Sequence, residues 1–118
     1  MPTVMIVDDS AFIRNRVIKW LTQAGYNTLV ACDGIEAVQL YKENRPDAVL
    51  MDITLPRKSG LDALNEIHQH DAQAKVIMLT ALDQSLIAGR AILYGAKEFL
   101  TKPVDAEQIL KALKKVLR

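Results

Sequence analysis

Two carboxylates stand side by side at Asp8 and Asp9, directly after the uninterrupted apolar run Val4 to Val7. Like charges at the end of a buried strand repel each other and lose hydration, so a cation must compensate them or the site weakens the fold. A third acid, Asp52, closes another apolar run. Thr80 closes a later one, and the last leads into Lys102 and Pro103. Three acids gathered with a hydroxyl and an ammonium, and with no histidine or cysteine among them, make a hard oxygen site suited to Mg²⁺ or Mn²⁺. Any one acid at a strand end is ordinary loop capping. The combination is what points to chemistry.

These residues have to be brought together by the elements that carry them. Short apolar runs recur at TVMIV (3–7), NTLVA (27–31), DAVLM (47–51), KVIML (75–79) and KEFLT (97–101). Each is rich in Val, Ile, Leu or Met and too short for a helix, as expected of strands covered on both faces. Helical spacing appears between and after them: Ile13, Val17, Leu21 and Ala24; Ile35, Val38 and Tyr41; Leu61, Leu64 and Ile67; Ile87, Ala91 and Tyr94; Ile109, Leu113 and Val116. Ser10 stands where an N-cap is wanted for the first helix, and Gly25 where a stop is wanted. A strand followed by a helix, five times over, predicts a parallel α/β sheet with right-handed crossovers and helices on both faces. Ligand sites in such sheets form beyond the carboxyl ends of the strands. Asp8, Asp9, Asp52, Thr80 and Lys102 all fall there.

The bulk properties narrow the class. The 118 residues make one domain, 1–118; half are apolar, a quarter charged, and the net charge is +1. That is a soluble globular balance with no excess of positive charge for nucleic acid. No apolar run approaches the roughly 20 residues of a membrane span, and the N-terminus has no basic segment leading a long apolar one, so a cytoplasmic location is expected. The lone Cys32 can form neither an internal disulfide nor a cysteine metal cluster, which fits a reducing compartment; it reads as a small buried residue. Lys111, Lys114, Lys115 and Arg118 read as the solvated face of the last helix, near the end where cations are favoured.

The motifs in register resemble the receiver domains of two-component response regulators, of the chemotaxis type: DD after the first strand, the acid within "LMDITLPRKSGLDAL", Thr-Ala after the fourth strand, and "GAKEFLTKP" around the fifth. The resemblance spans essentially the whole chain. It implies a (βα)5 doubly wound, flavodoxin-like fold with strand order 2-1-3-4-5. It also implies that Asp52 accepts a phosphoryl group from a sensor histidine kinase or a phosphotransfer protein. The metal would be bound by Asp9, Asp52 and the backbone carbonyl of Thr54, with Asp8 acting through bound water. Lys102 and Thr80 would contact the phosphoryl group, and the Lys102–Pro103 bond would be cis. Ala81 is small enough to leave the acceptor accessible.

The same resemblance makes Thr80 and Phe99 the switch, with the fourth helix, fifth strand and fifth helix forming a face for a downstream protein target; Arg90, Lys97 and Lys111 fall on those elements. The phenylalanine stands where chemotaxis relatives often carry tyrosine, so a filling ring is kept and a hydroxyl is lost. Side chains at Thr54 and Leu82 would govern the lifetime of the aspartyl phosphate. Arg57 and Lys58 depart from the usual pattern: they either attract phosphodonors to Asp52 or simply face water. Gly60 reads as turn chemistry.

Within that class the expected protein is a monomeric, stand-alone relay whose only chemistry is its own phosphorylation and slow dephosphorylation. The receiver part of a longer transcriptional regulator or hybrid kinase is the alternative. A Mg²⁺-dependent phosphatase of the haloacid-dehalogenase kind would place its nucleophile after the first strand in a D-x-D pattern. A flavin module would need a Ser/Thr/Gly-rich loop after Val7, and this chain has neither.

Overall fold

A computed structural model describes the backbone of residues 1–81 and 85–118, and the side chains of 1–81 and 89–118. The elements run β1 (Thr3–Val7), α1 (Ala11–Gln23), β2 (Asn27–Ala31), α2 (Gly34–Asn44), β3 (Ala48–Asp52), α3 (Gly60–His70), β4 (Val76–Thr80), α4 (Ser85–Leu93), β5 (Glu98–Thr101) and α5 (Ala106–Val116). All strand pairs are parallel and the sheet order is β2-β1-β3-β4-β5. The third, fourth and fifth strands begin one residue later than the apolar runs, because Asp47, Lys75 and Lys97 lie outside the strand bounds.

Alternation along the strands builds two cores from one sheet. Met5, Val7, Val49, Met51, Val76 and Met78 pack with α2 and α3 residues on one face. Val4, Ile6, Ala48, Leu50, Ile77 and Leu79 pack with α1 and α5 residues on the other. Asp8 and Asp52 continue the second set of rows past the last apolar residue, so the sheet's own pleat carries both acids out at the same rim.

Local signals set the helix ends. The Ser10 hydroxyl accepts from the Ile13 N–H at 3.3 Å, and Gly25 follows the α1 C-cap at φ +93°. Asp105 and Gln108 form a reciprocal capping box at the start of α5. Three expectations differ. Ile35 is 41 % exposed: Val38 and Tyr41 are buried as expected, but α2 continues their stripe through Gly34 and Ala37. Ala24 is exposed because it caps α1 instead of continuing its buried stripe. Cys32 is exposed as well: it lies just past edge strand β2, where its backbone N–H donates to Glu36 Oε1 at 2.7 Å. The Ile87 and Leu82 side chains lie outside the described residues.

Candidate functional site

Register makes the site. Val7 pairs with Met51 on adjacent central strands, so Asp8 and Asp52 emerge as neighbours one residue further on. Asp8 and Asp52 are buried and Asp9 is exposed. One oxygen from each of the three carboxylates lies within 4.8 Å of the others. Lys102 reaches in from beyond β5: its Nζ donates to Asp8 Oδ2 at 3.1 Å and to Asp52 Oδ2 at 3.2 Å. The Lys102–Pro103 peptide bond is cis. Asp8 is fixed further by the Ser10 N–H, 2.9 Å from its Oδ1, while the Arg14 guanidinium donates to its backbone oxygen at 2.7 Å.

Electrostatics follow from the burial. Removal from water pushes the Asp52 carboxyl above its ordinary value, against the opposing pull of Lys102. Burial works the other way on Lys102, but Asp52 and Asp8 outweigh it and hold the ammonium above its ordinary value. Three ionised carboxylates around one directly paired ammonium leave an excess of two negative charges. An oxygen-only donor set with that excess fits a hard divalent cation, as the acidic spacing foretold.

Three further positions singled out in the sequence have structural contacts here. Gly60 is where α3 begins, and a Cβ there would come within 2.0 Å of the Asp52 backbone oxygen; its N–H donates to Ile53 O at 2.8 Å. The glycine thus meets a close approach under Asp52, beyond ordinary turn chemistry. Such an approach is invisible in a motif that shows only a glycine after a serine. Arg57 faces water, as one of the two readings had it, and Lys58 is half-buried. Arg57, in the left-handed region at φ +68°, pairs with Asp33 Oδ2 at 3.5 Å, and Lys58 pairs with Glu66. A Cβ on Gly34 would collide with the Lys58 carbonyl, so the β3–α3 loop is pressed against the start of α2. That loop carries Thr54, which is exposed and whose N–H donates to Asp52 Oδ1 at 3.3 Å.

Thr80 is buried at the end of β4, and Ala81 next to it is exposed. Phe99, in β5 opposite Met78, is half-buried against the α2–α3 side of the core. Arg90, Lys97 and Lys111 are exposed. No described helix is long and apolar enough to cross a membrane.

A doubly wound parallel sheet with buried acids and a lysine at its carboxyl rim defines an α/β protein whose site handles charge at the central strand ends. More particularly, the chain belongs to the response regulator receiver domain family, which it matches over residues 4–114. Its relatives include the chemotaxis protein CheY of Bacillus subtilis (strain 168), 44 % identical over 115 residues, covering 97 % of this chain and 96 % of the relative. Another is CheY of Thermotoga maritima, 45 % identical over 114 residues, 96 % and 95 % covered. Among solved structures, the CheX–CheY–BeF3–Mg²⁺ complex of Borrelia burgdorferi contains a similar chain, with TM-score 0.94, 36 % identity, and coverage of 98 % of this chain and 89 % of that one. The resemblance seen in the motifs and the 2-1-3-4-5 order it implied are therefore right. This is a signalling receiver of the CheY-like kind, and the phosphatase and flavin readings fall away.

Proposed function

We propose that this receiver accepts a phosphoryl group on Asp52 in a Mg²⁺-dependent (or Mn²⁺-dependent) reaction and passes the signal on through a change of surface. The observation that carries the reading is the shared ammonium: Lys102 donates to both Asp8 and Asp52, while one oxygen of Asp9 lies within 4.8 Å of an oxygen of each. A carboxylate nucleophile needs no general base. Asp9, Asp52 and the Thr54 carbonyl would hold the ion, with Asp8 acting through water. Bound there, the ion would offset charge on the phosphoryl oxygens and hold them in line. Lys102 supplies a fixed positive charge as the group arrives, and Thr80 a hydroxyl donor.

The donor is a sensor histidine kinase or a phosphotransfer protein. The added group brings nearly two negative charges. Thr80 and Phe99 respond: the threonine moves toward the phosphoryl group and the ring fills the space it leaves. The α4-β5-α5 face then changes for a downstream protein target, in chemotaxis or flagellar motor control. Residues 1–118 act as one receiver unit, monomeric and cytoplasmic. Their only catalysis is self-phosphorylation and slow loss of the phosphate. The test is incubation with Mg²⁺ and acetyl phosphate followed by intact mass. One added phosphoryl group is expected in wild type and none in Asp52→Asn; modification that survives in the variant refutes the acceptor assignment.

A further inference from the structure

Beside the carboxylate cluster, between the Ile13 to Trp20 stretch of α1 and the turn from β5 into α5, lies a cavity of about 320 Å³. Its walls are apolar: Trp20 from α1, Pro103 and Val104 from the turn, and Ala81 just past β4. Two cations interrupt this lining. Lys102 belongs to the cavity wall and to the acid cluster at once, since its Nζ is 3.2 Å from Asp52 Oδ2. Arg16 is held on its own helix by two aromatic faces, its guanidinium carbon 5.2 Å from the Trp20 centroid and 5.7 Å from that of Phe12. Among the described residues Arg16 makes no ion pair, so its charge is available to something else.

An apolar chamber flanked by two cations and adjoining a carboxylate nucleophile suits an anion with a flat apolar end. The volume is at the small end of ligand pockets and takes a single ring with its linking group. We propose that this cavity is the acyl subsite for small phosphodonors, and that among such donors, used alongside the protein donor, the chain prefers an aromatic acyl phosphate, benzoyl phosphate being the simplest, to acetyl phosphate. The proposal rests on Asp52 being the acceptor. In the transfer, an Asp52 carboxylate oxygen bonds to phosphorus as the bond from phosphorus to the acyl oxygen breaks. The electron pair leaves with that oxygen as benzoate, and no proton or redox change is required. Trp20 covers the ring of the donor, and Arg16 faces the carboxylate as its charge appears.

The experiment uses the full chain with Mg²⁺. Initial rates of labelling by benzoyl phosphate and by acetyl phosphate are read by intact mass, each divided by that donor's rate of spontaneous hydrolysis in the same buffer at neutral pH, which breaks the same bond between phosphorus and the acyl oxygen. Filling an apolar pocket predicts a corrected preference on the order of tenfold for the aromatic donor. Trp20→Leu, which removes the ring face, and Val104→Trp, which fills the chamber, should each bring the ratio toward one. Because Trp20 is the only tryptophan, wild-type fluorescence gives an independent reading that depends on no variant. Benzoylphosphonate, whose P–C bond cannot transfer, should produce a saturable change at about tenfold lower concentration than acetylphosphonate. Labelling of Asp52 by acetyl phosphate with a corrected ratio of one overturns the subsite and leaves the acceptor intact. So does a Trp20 signal that responds to a phosphohistidine-bearing protein but not to benzoylphosphonate. Labelling by neither donor, or labelling that persists in Asp52→Asn, overturns the acceptor reading itself.

Discussion

Replacing Asp52 by asparagine should stabilise the metal-free protein and destabilise it, relative to wild type, once Mg²⁺ is present. Asp52 Oδ2 lies 3.2 Å from the Lys102 ammonium, an attraction of about 5 kcal/mol at an effective dielectric of 20. Against this stand repulsion from Asp8, with ligand oxygens within 4.8 Å, of about 3.5 kcal/mol, and a smaller contribution from exposed Asp9, about half as large because water screens it. The Coulomb contributions nearly cancel. What remains is the cost of holding a buried carboxylate ion away from water, which the amide does not bear. A gain of about 1–2 kcal/mol in the metal-free variant follows. Mg²⁺ reverses the order, because binding to the native state at 100 times its Kd adds about 2.7 kcal/mol to the wild type, and the variant has lost one ligand charge. Urea unfolding in EDTA and again in saturating Mg²⁺, followed by circular dichroism, measures both quantities. A variant less stable than wild type in EDTA, or an equal gain from Mg²⁺ in both proteins, would refute the reasoning.

Other substitutions test separate parts of the structure. Gly60→Ala should cost about 2–4 kcal/mol in urea unfolding, since its Cβ would meet the Asp52 backbone oxygen at 2.0 Å; near wild-type stability would mean the loop yields easily. Lys102→Met should slow labelling by acetyl phosphate on the order of a hundredfold while Asp52 remains the labelled residue. A rate within a few fold of wild type would remove the ammonium from the chemistry. Tyr41→Phe deletes the hydroxyl that donates to Asp71 Oδ2 at 2.7 Å and should cost about 1 kcal/mol at neutral pH. That hydroxyl is the main reason the Asp71 carboxyl sits below its ordinary value. The pair's stabilisation is therefore present above the unfolded carboxyl pKa and lost as pH falls through the lower folded value, so below about pH 4 the variant's stability should fall less steeply than wild type. Identical acid slopes would show the bond to be inconsequential.

How far the sequence could be read depended on what each residue's neighbours had to be. Asp8, Asp52, Thr80 and Lys102 were legible because a buried apolar run ending in a polar residue has one rim to end on, and strand ends in a parallel sheet share that rim. The order of the strands came from resemblance, since five similar apolar runs do not say which lies beside which. Ile35 was misjudged because Val38 and Tyr41 continue equally well from Gly34, and a glycine carries no hydrophobic signal. Cys32 was misjudged because burial of a small residue depends on whether its strand lies at the edge or the centre. Arg57 and Lys58 were ambiguous for a different reason: their partners, Asp33 at the cap of α2 and Glu66 in α3, have no fixed spacing from them.

Helix α3 is gauged at both ends by a glycine. At its start Gly60 sits against the Asp52 backbone oxygen, and near its end His68 fills the space a Cβ on Gly95 would need, in the turn that leads from α4 into β5. The two contacts are separated by eight residues, about 12 Å of helix. Inserting or deleting one residue between them would turn one end by about 100° relative to the other and break one contact whichever way the helix settled. The span between them behaves as a fixed ruler: its outward side chains are open to change, but its buried Ala63, Leu64 and Ile67 and its length are not.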